Sequence, residues 1–454
     1  MKVFCAVLLA AALAICAGLT PTFAGETPSD PNDGSAVTKG GLLGAKTLIV
    51  HVTTLADSGA GSLRAAIEVE GARVIVFDVG GRINLTEDLI IRNPMITIAG
   101  QSAPSPGISL WGASLRIRTH DVIVQHIAIR PGRAESPAVN EKRDGLSIDG
   151  KSSSKSNGIS YNILIENVSV SWSVDEAFTL WYEGTNHVTI RNCIVAEALN
   201  NAGHPKGAHS MGLMLGAGTG PSQVTGNLLA SNRYRNPVIG QGATAYIANN
   251  YIVNPGYNAI HTYDTGSSLA TRATIVNNVI EPGANTQSKL IGILLRPSAL
   301  GGSSNQFFVN GNLDLNFGPL MRPIVDTLDL RQVKAAPIKA SDWTLLPASQ
   351  VKHYVLVRAG TRPLDRDPVD ARLLKQIASG AERIIDHPED AGPVPKIKST
   401  ASKAKVPSRP FDIVRNIRKT RLEAWLCLQH LELGGVHSQT CPESLATLKQ
   451  ALSS

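Results

Sequence analysis

The chain repeats a strand-like run that reaches an asparagine and then continues with apolar sequence. These runs are rich in β-branched and apolar residues, and no helical period separates them. The asparagines are 25, 35, 23, 28 and 34 residues apart, at Asn167, Asn192, Asn227, Asn250, Asn278 and Asn312. A unit of this length that recurs without helices predicts a parallel β-solenoid. Asparagine tolerates the left-handed backbone conformation, so we expect all six at one sharp corner of the coils.

The N-terminus is typical of an exported protein. In residues 1–24, Lys2 precedes an apolar run that ends at Leu19, and this pattern predicts a signal peptide that is cleaved. The run is too short and too closely followed by polar residues to predict a transmembrane helix. We therefore expect the mature protein to be secreted or periplasmic, without stable membrane insertion.

Three cysteines follow the predicted signal peptide: Cys193, Cys427 and Cys441. In an oxidising compartment Cys427 and Cys441 could close a loop near the C-terminus, with Cys193 as a small buried apolar residue. Three unpaired thiols are an equally good interpretation. The sequence has no CxxC pair or His/Cys cluster of the kind that indicates zinc.

The net charge of +7 is concentrated in the C-terminal part of the chain. Residues 395–454 contain ten Lys and Arg against four Asp and Glu, whereas residues 25–394 carry no net charge. The basic balance therefore gives no support for an anionic ligand of the solenoid itself, and nothing in it indicates a nucleic-acid partner.

Composition shifts divide the chain. A short helix within 61–71 is expected to cap the open end of the solenoid, where strand edges would otherwise be unpaired. The predicted order is a signal peptide (1–24), a loose N-terminal arm (25–45), the solenoid with a segment that returns along its outside (46–394), a basic Pro/Ser/Lys-rich linker (395–410) and a helical C-terminal extension (411–454).

Ionisable residues open the same strand in four successive coils. This strand follows the long turn after each asparagine-containing run, and it begins at Asp144, Asp175, His209 and Arg235. Stacked strands lie about 4.8 Å apart, so these four side chains are expected within about 15 Å of one another. The solenoid would thus gather residues that are far apart in the sequence into one polar column.

The two aspartates of this column are candidate metal ligands. Asp144 and Asp175 would repel each other unless a cation lay between them, and carboxylate oxygens select calcium or magnesium. Glu176 could join them from the next position. The alternative is that both aspartates only cap backbone amides in turns.

Other polar and aromatic residues near the column are candidates for catalysis or substrate binding. Arg235 could act on a substrate proton or clamp a carboxylate, and Arg233 could exchange roles with it. Lys206 and His209 share the turn before the third strand, where either could face the cleft or remain in solvent. The candidate sugar-stacking residues are Trp172 and Trp181.

These segments resemble the pectate lyases of polysaccharide lyase family one, which are right-handed parallel β-helices. The likeness covers roughly residues 46–395 and does not reach the last 60. It rests on motifs that occur in the family's order: GSLRAAI (61–67), VIVFDVGGRI (74–83), ITIAGQSAP (96–104), DGLSIDG (144–150), SVSWSVDEAF (169–178), RNP (235–237), DPVDARLL (367–374) and GAERIID (380–386).

The resemblance implies calcium-assisted β-elimination of polygalacturonate. Asp144 and Asp175 match the family's calcium ligands, and Arg235 matches the arginine that serves as its catalytic base. Several positions depart from the family pattern. Ser171 replaces an acidic ligand, Gly240 replaces a second arginine, Val238 stands where a basic residue is frequent, and residues 166–169 read ENVS where the family often has DHCS. No residue matches the family's helper lysine securely; Lys206 and His209 are both candidates.

The leading hypothesis is a monomeric, secreted lyase that uses Ca²⁺ to cleave pectate or a related uronate polymer. The missing acidic ligand and the missing second arginine motivate a second hypothesis, a calcium-independent lyase for methylated pectin. A third is a non-catalytic β-solenoid that binds polysaccharide, with the basic tail as an anchor.

Overall fold

A computed structural model describes residues 30–44, 46–150, 160–181, 183–266, 268–288, 290–296, 304–315, 325–327, 333–438 and 441–453. Within these residues three sheets of mainly parallel strands, here called A, B and C, wind around one apolar core. The predicted parallel β-helix is therefore confirmed. The predicted signal peptide, residues 1–24, lies outside the described residues.

Each coil passes through sheet A, then B, then C, and strands are numbered in chain order. Sheet A comprises β1 (Leu48–Val52), β2 (Arg73–Phe77), β5 (Ile96–Ala99), β8 (Val122–Gln125), β11 (Ser160–Glu166), β14 (Thr185–Arg191), β17 (Ser222–Thr225), β20 (Thr244–Ala248), β23 (Arg272–Val276) and β26 (Gln306–Asn310). Sheet B comprises β3 (Val79–Asn84), β6 (Ile108–Trp111), β9 (Ile127–Arg130), β12 (Ser169–Ser171), β15 (Ile194–Ala196), β18 (Leu228–Ala230), β21 (Tyr251–Val253), β24 (Val279–Glu281), β27 (Leu313–Asp314) and the added strand β29 (Thr400–Ala401). Sheet C comprises β4 (Leu89–Ile91), β7 (Leu115–Ile117), β10 (Leu146–Asp149), β13 (Glu176–Trp181), β16 (Met211–Leu215), β19 (Val238–Gly240), β22 (Ile260–Tyr263), β25 (Ile293–Leu295) and β28 (Val325–Thr327).

Helices lie at the N-terminal end of the β-helix and on its outside. The α-helices are α1 (Leu63–Glu68), α2 (Pro137–Asn140), α3 (Ala348–Arg358), α4 (Pro368–Ser379), α5 (Arg421–Glu432) and α6 (Leu445–Ser453). Shorter 3₁₀ turns occur at Gly40–Leu42, Gly100–Ser102 and Pro388–Ala391. In the part of the chain that the structure describes, every helix is too short or too polar to cross a bilayer.

The core is built from side chains that stack between coils. In sheet C, Leu146 pairs with Phe178 and Phe178 pairs with Leu213, and all three are fully buried. At the N-terminal end, α1 buries Leu63 and Ile67 in the same cluster. This helix therefore caps the β-helix as predicted. The in-register stacking of the strands determines which residues meet at the strand ends.

The asparagines occupy two adjacent columns instead of one. Asn167 and Asn192 have left-handed backbone conformations, with φ of 51° and 52°, as expected. In later coils the preceding residue takes the positive φ, at Gly226, Asn249, Asn277 and Gly311. The other asparagines form a buried ladder one position later, in which each Nδ2 donates at 2.9 Å to the Oδ1 of the next: Asn227, Asn250, Asn278 and Asn312. All six therefore lie at the corner between sheets A and B, as predicted. The expected left-handed conformation is wrong for these four, whose side-chain amides instead pair with one another and with backbone.

The arm and the linker are more closely packed than predicted. Ser35 Oγ donates to Asp342 at 2.8 Å and lies 3.1 Å from Gln223 Oε1, and the Ala36 N–H donates to Thr189, so the arm is tied to sheet A over residues 30–44 instead of being loose. Within the predicted linker, Thr400–Ala401 pairs antiparallel with the first residues of β3. This pairing covers the edge of sheet B, which would otherwise expose unpaired backbone groups.

The helical C-terminal extension covers the outer face of sheet A. Leu422 and Trp425 of α5 pack against Val74 and Val76 of β2. Cys427 and Cys441 are bonded to each other, which favours the paired interpretation of the cysteines, and Cys193 is a buried free thiol. A short ribbon, β30 (Ile413–Val414) with β31 (Lys419–Thr420), leads into α5.

A buried histidine pair joins this extension to the β-helix and is expected to make stability pH-dependent. His126 Nε2 and His430 Nδ1 lie 2.8 Å apart, and burial lowers the pKa of both rings. Arg362 adds to the shift at His126 and Arg191 to that at His430, whereas Glu166 opposes the shift at His430. Burying these histidines in the neutral form contributes to the unfolding free energy. This contribution is complete above the pKa of an exposed histidine, about 6.5, and is lost as the pH falls toward the lower pKa values of the two rings in the folded protein.

Between pH 6.5 and 5 we expect the unfolding free energy to fall by up to about 1.4 kcal/mol per pH unit for each histidine kept neutral. Chemical unfolding at several pH values measures this slope. His430→Gln should make the slope shallower. An identical slope in the variant would contradict a role for this pair.

Candidate active site

The starts of four sheet C strands form the predicted column. Asp144 precedes β10, Asp175 precedes β13, His209 precedes β16 and Arg235 precedes β19. Leu146 stacks on Phe178, so the register makes Glu176, and not Asp175, the equivalent of Asp144. Asp175 therefore sits one position earlier, in the turn, and the two acidic residues of one coil face the single acidic residue of the coil before.

Three carboxylates converge at this point. One oxygen each of Asp144, Asp175 and Glu176 lies within 4.8 Å of the others. Asp144 is buried, and its Oδ1 has no hydrogen-bond partner among the described residues. Burial raises the pKa of Asp144 well above its usual range, and Asp175 adds to the shift, while Arg116, 3.6 Å from Asp144 Oδ2, opposes it. An acidic cluster with an unsatisfied buried oxygen is a suitable environment for a cation.

Arg235 is held beside these carboxylates in an uncommon backbone conformation. Its φ is +62°, in the left-handed region that bulky residues rarely adopt. The guanidinium forms an ion pair with Glu176, and Nη1 lies 3.1 Å from Met214 Sδ. Burial lowers the pKa of Arg235, whereas Asp175 and Asp144 favour its charged form. The structure thus brings Arg235 together with all three predicted acidic residues.

His209 also reaches the cluster, and it brings a second histidine. His209 Nε2 lies 3.0 Å from Asp175 Oδ1. The His204 ring stacks on that of His209, with centroids 3.6 Å apart, and its Nε2 is 3.7 Å from the same oxygen. Sequence reasoning missed His204, although the His-Pro-Lys-Gly-Ala-His segment, with two histidines around a glycine turn, was a usable signal.

Lys206 and Arg233 do not join the carboxylates. Lys206 is exposed and its ammonium makes no ion pair with any described residue, while its backbone N–H donates to His204 Nδ1 at 3.1 Å. Arg233 Nη1 donates to the Ala208 carbonyl at 2.8 Å, and its guanidinium lies 4.5 Å from the ring of Tyr257. Arg233 therefore supports the turn that carries His209 and does not exchange places with Arg235.

One of the two tryptophans is excluded as a stacking surface. Trp172 is only 1% exposed; its indole N–H donates to Glu197 at 3.1 Å and its ring packs edge-on against Trp111. Because neither ring face reaches solvent, the prediction that Trp172 stacks on a sugar is wrong. Trp181 is partly exposed at the end of β13 and remains a candidate.

Ser171 and Gly240 both depart from the family pattern, and the structure gives a steric reason for Gly240. Ser171 is buried in β12 of sheet B and pairs with Ala196. A Cβ on Gly240 would approach the backbone of residues 215–217 to 2.7–2.8 Å, closer than any real side chain allows. An arginine therefore cannot replace Gly240 unless the neighbouring coil moves.

Curated proteins of one group are similar to a large part of the chain. No protein-family model matches the chain. The probable pectate lyase C of Neosartorya fischeri is 30% identical over 352 residues, which cover 74% of each protein. That of Aspergillus oryzae is 33% identical over 245 residues, so the match spans about half of that relative, 52%, and 54% of this chain.

Two solved structures share the fold. Jun a 1, the major allergen from cedar pollen, has a TM-score of 0.51 at 14% identity, covering 72% of this chain and 92% of its own. A pectate lyase bound to hexasaccharide has a TM-score of 0.50 at 13% identity, covering 74% and 98%. At these identities the likeness shows the fold alone. The 30% identity to a curated relative over nearly three quarters of both proteins shows that the chain belongs to the pectate lyase family.

Proposed function

We propose that the protein is a polysaccharide lyase that cleaves pectate or a related polyuronate by calcium-assisted β-elimination. The observation that carries the proposal is the cluster of Asp144, Asp175 and Glu176 directly beside Arg235. A carboxylate cluster and a guanidinium are the groups needed to bind a uronate through a cation and to act on its adjacent proton. Family membership supports the same reaction class.

The three carboxylates fit a calcium ion. Calcium binds oxygen at about 2.3–2.6 Å, so two ligands of one ion lie at most about 5 Å apart. The oxygens of Asp144, Asp175 and Glu176 meet this limit, and Asp144 Oδ1 lacks any other partner among the described residues. Calcium bound there would supply positive charge that neutralises the carboxylate of a uronate and makes the neighbouring C–H more acidic.

Arg235 is the group best placed to act on that proton. In β-elimination the proton leaves the carbon that bears the carboxylate, a C=C bond forms, and the glycosidic oxygen on the next carbon departs and is protonated by water. An arginine is protonated in water, so a base role needs a lowered pKa, and burial shifts the pKa of Arg235 in that direction. Glu176 pairs with the guanidinium, and a base role requires Arg235 to exchange this partner for the substrate.

A polar groove beside the column could accommodate the neighbouring sugars. It has a volume of about 620 Å³, and its lining includes Arg233, Tyr257, Asn285, Gln287 and Arg383. The two guanidinium groups and the amides can pair with the carboxylates and hydroxyls of a uronate chain. Asp386 and Asp390 also line the groove, so its lining is not positive overall, and the arginines must bind the sugars locally. Tyr257 is 42% exposed and adds an aromatic surface of the kind on which sugars stack.

One assay tests the function. The protein is incubated with polygalacturonate and, in parallel, with highly methylated pectin, each with calcium or with a chelator, and the ultraviolet absorbance of the unsaturated product is followed. We expect activity on polygalacturonate that the chelator removes. Chelator-resistant activity on methylated pectin would instead establish the calcium-independent lyase, and binding without product in any arm would establish a non-catalytic polysaccharide-binding protein.

We also propose that the protein is exported. The Cys427–Cys441 bond supports this, because disulfides persist in oxidising compartments. The mature protein is expected to begin at Gly25, and N-terminal sequencing of protein secreted by its host would detect a different start or an uncleaved signal.

A further inference from the structure

Asp175 faces two histidines as well as the other carboxylates. One donor atom each of Asp175, His204 and His209 lies within 4.8 Å of the others. The two histidines come from one turn between β15 and β16, and the aspartate comes from the turn of the preceding coil. The stack of these coils therefore assembles two nitrogen donors and one oxygen donor at a single point.

The spacing of these atoms is close to that of a tetrahedral metal site. Zinc binds histidine nitrogen and carboxylate oxygen at about 2.0–2.2 Å, so two ligands of a tetrahedral ion lie about 3.3–3.6 Å apart. The distances from Asp175 Oδ1 are 3.0 Å to His209 Nε2 and 3.7 Å to His204 Nε2. These values bracket that separation. The two rings are stacked nearly parallel, 11° between their planes, so one of them must rotate out of the stack for both nitrogens to face one ion.

His204 provides an independent reason to expect a ligand. Its side chain is fully buried, and Nε2 has no hydrogen-bond partner among the described residues, since 3.7 Å to Asp175 is too long for a hydrogen bond. A buried polar atom without a partner is unfavourable, and this one points toward Asp175. A metal ion between Nε2 and the carboxylate would satisfy it.

We propose that Asp175, His204 and His209 bind a divalent transition metal, for which Zn²⁺ is the probe. This site is distinct from the all-oxygen cluster of Asp144, Asp175 and Glu176, although Asp175 belongs to both. Imidazole nitrogens favour zinc and its neighbours over calcium, which prefers oxygen. Three protein ligands leave the fourth position of a tetrahedral ion for water or a substrate group. For zinc to bind at His204 Nε2, the ring proton moves to Nδ1, and the Lys206 N–H that now donates to Nδ1 is left to solvent. At His209 the Nε2 proton that faces Asp175 must likewise move to Nδ1 or be released to solvent.

The test is calorimetric titration of the chelator-treated, full-length protein with zinc chloride. We expect one site in the wild-type protein. His204→Gln and His209→Gln should each weaken binding by at least about tenfold, since even partners of metal ligands cost 10–100-fold in affinity. His353→Gln is the matched control, because His353 is exposed on α3, and it should bind as the wild type does. Cobalt absorption gives a second readout, since a tetrahedral nitrogen and oxygen site has a distinctive visible spectrum.

The proposal is overturned if the wild-type protein binds no zinc, or if both site variants bind it as tightly as His353→Gln does. A calcium titration of His204→Gln separates this result from the lyase proposal. His204 is absent from the all-oxygen cluster, so its replacement should leave calcium affinity unchanged. Parallel losses of calcium and zinc affinity would show one shared site and contradict the second one.

Discussion

Arg235→Ala is expected to lower kcat on polygalacturonate by at least about 10²-fold, the range typical of a lost proton-transfer or charge-stabilising group. The guanidinium lies against the carboxylate cluster, and no other described arginine pairs with Glu176. The side chain fills no part of the main apolar core, but its loss leaves Glu176 without its cationic partner beside two other carboxylates. The thermal melt is therefore run with calcium present, and there the midpoint should remain close to that of the wild type. Initial rates and a thermal melt on the same preparation measure both effects.

Arg233→Ala is the matched control for this variant. Arg233 lies only two residues away, yet its guanidinium contacts the Ala208 carbonyl and Tyr257 instead of the cluster. We expect its loss to raise KM and to change kcat by less than about tenfold, because it is placed to bind and not to react. If Arg235→Ala kept more than about a tenth of the wild-type kcat, Arg235 would have no part in the chemical step.

The column could be predicted because a β-helix converts sequence order into spatial order. Once equivalent strands are aligned, Asp144, Asp175, His209 and Arg235 must lie at neighbouring strand ends, and the structure places them there. The alignment was uncertain by one residue, and a slip of one residue reverses the direction of a side chain. For this reason the sequence predicts the corner at which the asparagines lie but not their two different positions within it. For the same reason it does not show that Glu176, and not Asp175, is equivalent to Asp144.

The turns could not be predicted in the same way. Lys206 and His204 lie in a turn whose path depends on local hydrogen bonds, and only the structure shows that one faces solvent and the other is buried. Trp172 is buried because Trp111, from the preceding coils, lies against it. The close backbone approach at Gly240 likewise depends on the neighbouring coil, so no reading of the local sequence could explain the missing arginine.

A fully buried ion-pair network attaches the return segment to the β-helix. Arg130 of β9 has no exposed side-chain surface, and its Nη2 contacts Asp367 at 2.8 Å and Asp370 at 3.0 Å. Asp367 also caps the start of α4 by accepting from the Val369 and Asp370 amides. The pKa of Asp370 is raised to about 6, mainly by burial and then by the charge of Asp367, while Arg130 opposes the shift. Arg130 thus supplies the cation that pairs directly with two buried carboxylates.

Arg130→Met should therefore lower the unfolding free energy by about 3–5 kcal/mol, the usual cost when one member of a buried ion pair is removed. Chemical unfolding measures the change, and limited proteolysis shows whether α4 detaches first. Lys352→Met is the matched control, since Lys352 also joins an outer helix to the β-helix, through Glu281, but is 41% exposed. Its loss should cost less than about 1 kcal/mol.

A second substitution separates the two ways in which Arg130→Met could destabilise the protein, namely unpaired buried charge and lost packing. In Arg130→Met the destabilisation comes mainly from the uncompensated carboxylates, so adding Asp370→Asn should restore part of the lost stability by removing one buried charge. Lowering the pH should also raise the unfolding free energy of Arg130→Met relative to the wild type, because protonating Asp370 removes the same buried charge. If the double variant were no more stable than Arg130→Met at any pH, the loss would come from packing around Trp172, whose ring centroid lies 5.9 Å from the Arg130 guanidinium, and not from the buried charges.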